Sequence, residues 1–357
     1  MAYQLKARRD TASNWQSQNT VLGAGELGVE TDTGKIKVGD GSTAWNSLQY
    51  VTEDPATPIG TQAQGSSYGY TSGGFIPPNT NIIDKFPFSA DANATDVGDL
   101  TVARQRMAGQ SSSVSGYTSG GTPGAINVID KFPFASDGNA TDVGDITEAR
   151  YSTAGQSSTD NGYSSGGRPS GPSSSNIIDK FPFSSDANAT DVGDLTVARQ
   201  EISGQSSTTS GYSSGGFSVT SPPLRITHRN IIDKFPFSSD ANATDVGDLA
   251  VTRWQTAGQS STASGYTSGG YAPSLTSSTN IIEKFPFSSD GNATDVGDLT
   301  VARYGAVGQS STASGYTSGG TPGPINVIDK FPFSSDANAT DVGDLTGTRG
   351  SAAGQQV

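Results

Sequence analysis

Apolar side chains are sparse in this chain and return in a fixed order. A polar run of small residues leads to a tyrosine preceded by glycine, then Gly-Gly, then an Ile-Ile or Val-Ile pair, then Phe-Pro-Phe. A valine and an aliphatic residue among acidic residues follow, and an arginine closes the unit. The Gly-Tyr-x-Ser-Gly-Gly block carries Tyr70, Tyr117, Tyr163, Tyr212, Tyr266 and Tyr316, and the closing arginines are Arg104, Arg150, Arg199, Arg253, Arg303 and Arg349. Each pass of about fifty residues holds four short segments of strand character between Gly-, Ser- and Asp-rich turns, the signature of propeller blades. The last complete unit predicts strands over 308–314, 315–318 and 326–333, and the fourth strand of the unit before it over 295–303.

Twelve of the 14 phenylalanines lie in the Phe-Pro-Phe runs, so they are expected to dominate packing between sheets. Burying one contributes about 1.5–3 kcal/mol. The prolines are expected at an edge or bulge, because proline cannot donate to a central ladder. The order of segments resembles the kelch repeat: a strand, a strand ending in Gly-Gly, a third strand after a variable loop, and a fourth ending near arginine. Two features depart from it. Kelch repeats carry tryptophan on the fourth strand, where this chain has Val97 and Leu100, and the strand before Gly-Gly is Tyr-Thr-Ser rather than aliphatic. Ala353-Gly354-Gln355 repeats the start of a first strand (compare Ala257-Gly258-Gln259), so the C-terminus is expected to close the ring, with Thr61–Gln64 as the competing strand.

The first fifty residues do not repeat. They predict a strand over 3–9, a helical turn around Trp15 capped from the polar run 10–14, and a hairpin of 26–31 with 35–38 turning at Asp32-Thr33-Gly34. Gln4–Thr11, Trp15, Gly25-Glu26-Leu27-Gly28, Asp32-Thr33-Gly34-Lys35, Lys37–Gly41 and Trp45–Leu48 resemble a small N-terminal module of bacteriophage tail-fibre proteins, of the kind found in the major tropism determinant. The resemblance implies a module that attaches to other virion proteins or trimerises the fibre, a homotrimer, and a place in the virion. The residues alone imply a small β-rich unit in which Trp15 and Trp45 anchor the core. The expected organisation is all-β: a module over 1–50, a linker over 51–59 containing Pro55 and Pro58, and a six-bladed kelch-like β-propeller over 60–357.

Composition narrows the function classes. Net charge is −13, and residues 1–50 are neutral, so the rest of the chain carries all of it. That excludes a nucleic-acid partner. Without cysteine there is no thiolate metal site and no thiol nucleophile. No apolar run reaches the roughly 20 residues of a membrane span, and Met1–Lys6 starts no signal-peptide core.

Comparison among the repeats finds two places that vary. One follows Gly-Gly (75–80, 122–126, 168–175, 217–229, 271–279, 321–325), and the other follows the arginine (105–107, 151–153, 200–202, 254–256, 304–306). In an up-and-down blade both connections lie on one face, so one face is diversified and the other is uniform. The diversified face holds Phe75, Tyr151, Phe217, Trp254, Tyr271 and Tyr304, with Arg225, His228 and Arg229 in its longest loop. Exposed aromatics suit a sugar ring or a protein, and the basic cluster suits an anionic glycan or phosphate. Stapling of neighbouring blades is the competing role for these aromatics.

The run Asp91–Asp99 has oxygens at alternate positions, as calcium loops do, but lacks their glycine and bidentate glutamate. Turns in which Asp and Asn bond the nearby backbone account for it equally. No cofactor or metal is expected. The copied acidic residues and arginines argue against catalysis, because a catalytic constellation is asymmetric, so the chain is expected not to be an enzyme. The expected function is a virion fibre or spike that binds a host-surface receptor, glycan being the candidate class. A purely structural virion protein and a polysaccharide depolymerase are the alternatives.

Overall fold

The computed structural model describes residues 7–48, 64–323 and 325–357. The expected linker over 51–59, the start of the first strand and Thr61–Ala63 lie outside them. The chain divides into two compact units, Met1–Ile59 and Gly60–Val357.

In the first unit β1 (Arg8–Asp10) pairs in parallel with β2 (Leu27–Glu30), and β2 pairs antiparallel with β3 (Ile36–Val38). Helix α1 (Ala12–Gln18) starts where the Thr11 hydroxyl accepts the Asn14 N–H, and stops at Asn19, whose φ of 43° no helix can continue. Trp15 stacks on Trp45 at 4.2 Å between centroids, over buried Leu22. Two indoles thus supply most of the apolar surface in a unit too small for an aliphatic core.

The second unit is six four-stranded antiparallel sheets. Blade 2 shows the plan: an inner strand Ala108–Ser111, then Ser115–Ser119, Val128–Pro133 and an outer strand Thr141–Asp145. The third strand is central, and its proline sits at the end, paired with the second strand beyond the reach of the outer one. The outer strands end sooner than the sequence suggests, at Asp298 rather than Arg303. The chain leaves the sheet there because the arginine side chain must turn into the next blade. Blade 1 takes its inner strand, Ala353–Gln356, from the C-terminus, which pairs with Tyr68–Ser72 and closes the ring.

Small residues line the hub for a steric reason. A Cβ on any inner-strand glycine, for example Gly155, would collide with the carbonyl of its counterpart in the preceding blade, here Gly109, and the relation runs through Gly204, Gly258, Gly308 and Gly354 back to Gly109. The next residue ties the blades together. Gln110 Nε2 donates to the Tyr163 carbonyl of the following blade at 2.8 Å, and Gln355 Nε2 to that of Tyr117 at 3.0 Å. Further out, each blade tyrosine packs on both phenylalanines of the next blade: Tyr117 lies 5.6 Å from Phe181 and 4.8 Å from Phe183.

Between the sheets each closing arginine is buried against a carboxylate of the next blade. Arg104 meets Asp130 at 3.0 Å, Arg199 meets Asp233 at 2.9 Å, Arg303 meets Asp329 at 2.9 Å, and Arg349 closes the circle on Asp84. Burial lowers the pKa of these guanidiniums and the partner carboxylate opposes that shift. The arginine also donates to main-chain carbonyls, as Arg150 does to Gly166 at 2.6 Å and Ile177 at 3.0 Å. One junction is rewritten consistently. Where the other blades have a threonine whose hydroxyl binds the aspartate (Thr300 to Asp329, 2.7 Å), blade 4 has Ala250 and its neighbour carries the longer Glu283, which accepts the Val251 N–H at 3.2 Å.

Removing one partner strands a buried charge, which costs roughly 3–5 kcal/mol. Asp130→Ala is therefore expected to lower unfolding free energy by about that amount, whereas Asp137→Ala, at the exposed Lys85 pair, changes it by less than about 1 kcal/mol. Urea unfolding of the two variants measures the difference.

Candidate functional site: the diversified face

The two variable places meet in space. The residue after each arginine pairs, through backbone hydrogen bonds, with the residue after Gly-Gly of the next blade. The couples are Gln105 with Thr122, Tyr151 with Arg168, Gln200 with Phe217, Trp254 with Tyr271, Tyr304 with Thr321, and Gly350 with Phe75. The arginine is the pivot: the Arg104 carbonyl accepts the N–H of Gly74 in its own blade at 2.8 Å, while its side chain is held by the next blade. Copied residues thus fix the base of both variable segments at every junction.

One residue inward, the six chains converge around the axis. Arg106, Ser152, Glu201, Gln255, Gly305 and Ser351 all have positive φ, between 53° and 63°. Each donates its N–H to the carbonyl of the preceding member: Ser152 to Arg106 at 2.7 Å, Glu201 to Ser152 at 3.1 Å, Gln255 to Glu201 at 3.0 Å, Gly305 to Gln255 at 2.9 Å, Ser351 to Gly305 at 2.6 Å, Arg106 to Ser351 at 2.6 Å. The loop of hydrogen bonds is closed and uses main-chain atoms alone, so the side chains are free to differ. The left-handed conformation costs a residue with a side chain about 1 kcal/mol or more. Glycine would relieve that, yet only Gly305 is glycine.

These side chains line an axial mouth with Met107, Thr153, Ile202, Thr256, Ala306 and Ala352. Arg106 reaches Glu201 at 3.2 Å and the Ser152 hydroxyl donates to the same carboxylate oxygen at 2.9 Å. Thr153 Oγ1, Gln255 Oε1 and Arg106 Nε are buried without a hydrogen-bond partner. The frame arginines leave Nε unbonded too, but they do so in all six blades, whereas the orphans at the mouth do not recur.

Of the aromatic and basic residues singled out from the sequence, five form one patch over blades 4 to 6. Trp254 is its centre, 5.9 Å from Phe217, 5.0 Å from Tyr271 and 5.8 Å from Tyr304, with His228 edge-on to Phe217 at 5.9 Å. The rest stand apart. Phe75 is 43% exposed beside Ile76 and Pro77, and Tyr151 pairs with Arg168 on a separate short ladder. The long loop is a hairpin, Phe217–Thr220 with Arg225–His228, in register Phe217 to His228 and Thr220 to Arg225. Alternation along the strand puts Arg225 on the opposite side from His228, so the three basic residues do not share one side. Arg229 Nε donates to Ser218 at 3.3 Å.

Arg106, Glu201 and Gln255 lie within the variable segments 105–107, 200–202 and 254–256, but neither aromatic character nor a long loop distinguishes them in the sequence. Their shared left-handed turn is a property of the backbone that no residue type announces.

The opposite face is bound up in itself. Lys85 pairs with Asp137 of the next blade at 2.9 Å, and Lys131 with Asp186 at 2.9 Å. In the Asp/Asn-rich turns, Asp96 accepts the Gly98 N–H and Asn139 accepts the Asp99 N–H. Among the described residues no group of three or more His, Asp or Glu is placed to hold a metal ion, and no helix is long and apolar enough to cross a membrane. The propeller chain enters on this face, where Gly65 pairs beside Ser311 and donates to Ser310 at 2.7 Å.

Residues 5–43 match the family described as the major tropism determinant N-terminal domain. The chain is also 40% identical over 48 residues to a protein named hyaluronoglucosaminidase from Streptococcus pyogenes phage H4489A, a stretch covering 13% of each chain. Both likenesses are to phage proteins, and the N-terminus is tail-fibre-like. The second corrects one expectation: a relative bearing an enzyme's name points away from a chain without catalytic activity. The sixfold copying that argued against catalysis bears only on the frame, and leaves unrepeated groups such as Glu201 outside its reach.

If the axial turn is strained, Ser351→Gly is expected to raise stability by about 1 kcal/mol and Gly305→Ala to lower it by a similar amount. Denaturant unfolding checks both, and a destabilising Ser351→Gly would show that the position carries no strain.

Proposed function

We propose that this chain is a phage tail-fibre or spike protein whose N-terminal module attaches to other virion proteins or trimerises, and whose propeller binds a host-surface receptor, a glycan, through its diversified face. The observation that carries the reading is the pairing of both variable segments on one face, above a frame copied in every blade. Diversity concentrated on loops over a fixed scaffold is the pattern of a recognition surface. Gly65, near the start of the described propeller chain, pairs beside Ser311 on the other face. The variable segments carry four arginines, Arg106, Arg168, Arg225 and Arg229, against one glutamate, Glu201, on a chain of net charge −13. That local excess suits an acidic glycan, and Trp254 with Tyr271 and Tyr304 suits a sugar ring. Gly-Gly pairs and arginines at the blade junctions support reading the blades as kelch-like.

The likeness to a phage hyaluronoglucosaminidase favours a second reading, in which binding is coupled to cleavage of a polysaccharide. Reducing ends released from bound polysaccharide separate the two.

On a glycan array, Trp254→Ala and Tyr271→Ala are each expected to weaken binding at least about tenfold, the loss of one stacking contact worth some 1.4 kcal/mol. Unchanged binding by both variants, and by a chain whose 217–229 loop is exchanged for the short 321–325 loop, would contradict the assignment. A trimer predicts a light-scattering mass three times that of the 36.4 kDa chain, and a monomer's mass would contradict it.

A further inference from the structure

We propose that the axial mouth is a subsite for one uncharged sugar ring, held through its hydroxyls by Glu201, Gln255 and Ser152. The proposal rests on the receptor-binding reading above and names the chemistry at its centre.

Three independent observations point there. Five blades keep a side chain in a left-handed turn where the sixth has glycine, and strain retained against an available relief marks a position kept for what its side chain does. The five positions hold four kinds of side chain, serine occurring at both 152 and 351, so the turn itself does not require any one of them. Unpartnered polar atoms gather at the mouth. Thr153 is 6% exposed with Oγ1 unbonded, and Gln255 Oε1 is unbonded over Gly305, the one position that leaves the mouth open. Gln255 Oε1 stands 3.6 Å from where a Cβ on Gly305 would be, so it borders the space that glycine leaves open.

Charge then selects the ligand class. Arg106 is already paired with Glu201, so the pair is neutral, and all six ring N–H groups are spent on ring carbonyls. Of the charged donors only the buried Arg106 Nε is left unbonded, which is fewer than the paired donors a carboxylate or phosphate takes. What remains is a planar carboxylate, a planar amide and hydroxyls around a small apolar floor of Met107, Ile202 and Ala306. That set matches the vicinal hydroxyls and the C–H face of a pyranose. Acid groups elsewhere on a glycan would meet Arg168, Arg225 and Arg229 on the outer loops.

The chain provides its own reporter. Trp254 adjoins Gln255, and the other two tryptophans, Trp15 and Trp45, lie in the first unit. The full chain labelled with 5-fluorotryptophan gives three fluorine resonances, with Trp254→Phe assigning one. The probes are the methyl glycosides of glucose, galactose and N-acetylglucosamine, and methyl glucuronide. At least one neutral glycoside is expected to shift the Trp254 resonance alone, with the glucuronide needing at least about tenfold higher concentration, a difference of about 1.4 kcal/mol. Gln255→Ala and Glu201→Gln, shown to be folded by their melting curves, are expected to weaken the effect about tenfold or more. No shift with any neutral glycoside, equal or tighter glucuronide binding, or variants that titrate like the parent would overturn the proposal. The same variants on the glycan array separate the two readings. Full array binding by the mouth variants alongside loss in Trp254→Ala removes the subsite and keeps the receptor surface, whereas full binding by Trp254→Ala, Tyr271→Ala and the 217–229 loop exchange together removes the surface itself.

Discussion

The contact on which the rest of the propeller depends is the buried pair between each closing arginine and the carboxylate of the next blade. Its side chains are fully or almost fully buried at every junction. A buried ion pair adds little net stability over an apolar pair of the same volume, but breaking it is costly. What it contributes is position. A flat guanidinium with donors in fixed directions can satisfy an aspartate and main-chain carbonyls of the next blade in only one placement. Because the arginine backbone is tied to its own blade, that placement sets the angle between blades and the point where each variable segment begins.

Separation of frame from function follows from this. The frame is held by groups that close on themselves around the ring: glycine against carbonyl, glutamine to carbonyl, tyrosine on phenylalanine, arginine on aspartate. The loop of main-chain hydrogen bonds at the mouth belongs to the same system, since it needs no side chain. A surface built this way tolerates any residue at six converging positions, provided the backbone bears the left-handed turn. The one junction whose arginine–carboxylate contact is altered, Ala250 with Glu283, carries Trp254 and Tyr271. A shortened side chain on one blade is matched by a lengthened one on the next, so the carboxylate still reaches a main-chain donor, the N–H of Val251 one residue further on.

Most of the architecture was legible in the sequence because repetition makes each blade a witness for the others. Tyr70 and its five counterparts, the Phe-Pro-Phe runs and the repeated Ala-Gly-Gln at residue 353 were enough to place four strands per blade and to favour closure by the C-terminus over Thr61–Gln64, as the pairing of Ala353–Gln356 shows. The arginine was misplaced on the outer strand, because a strand-like run of Leu299, Thr300 and Val301 conceals that Arg303 must turn inward. The face was readable from the alternation of connections. Its inner geometry was not. Arg225 and His228 are three residues apart in one loop, yet strand alternation sends them to opposite sides, while Arg106 and Glu201 are far apart in sequence and meet at 3.2 Å. Convergence on an axis is a property of the closed ring, visible only once the ring is closed.

The central claim is that copied residues specify the fold and unrepeated residues specify recognition. It is tested most directly by a symmetrised chain, in which the variable segments of all six blades are replaced by those of the blade containing Thr321 and Gly350 while every copied residue is kept. The account predicts a chain that melts cooperatively at or above the parent temperature and binds no receptor on the glycan array. A symmetrised chain that fails to fold would show that the variable segments are part of the frame, and one that binds as the parent does would place recognition elsewhere in the molecule.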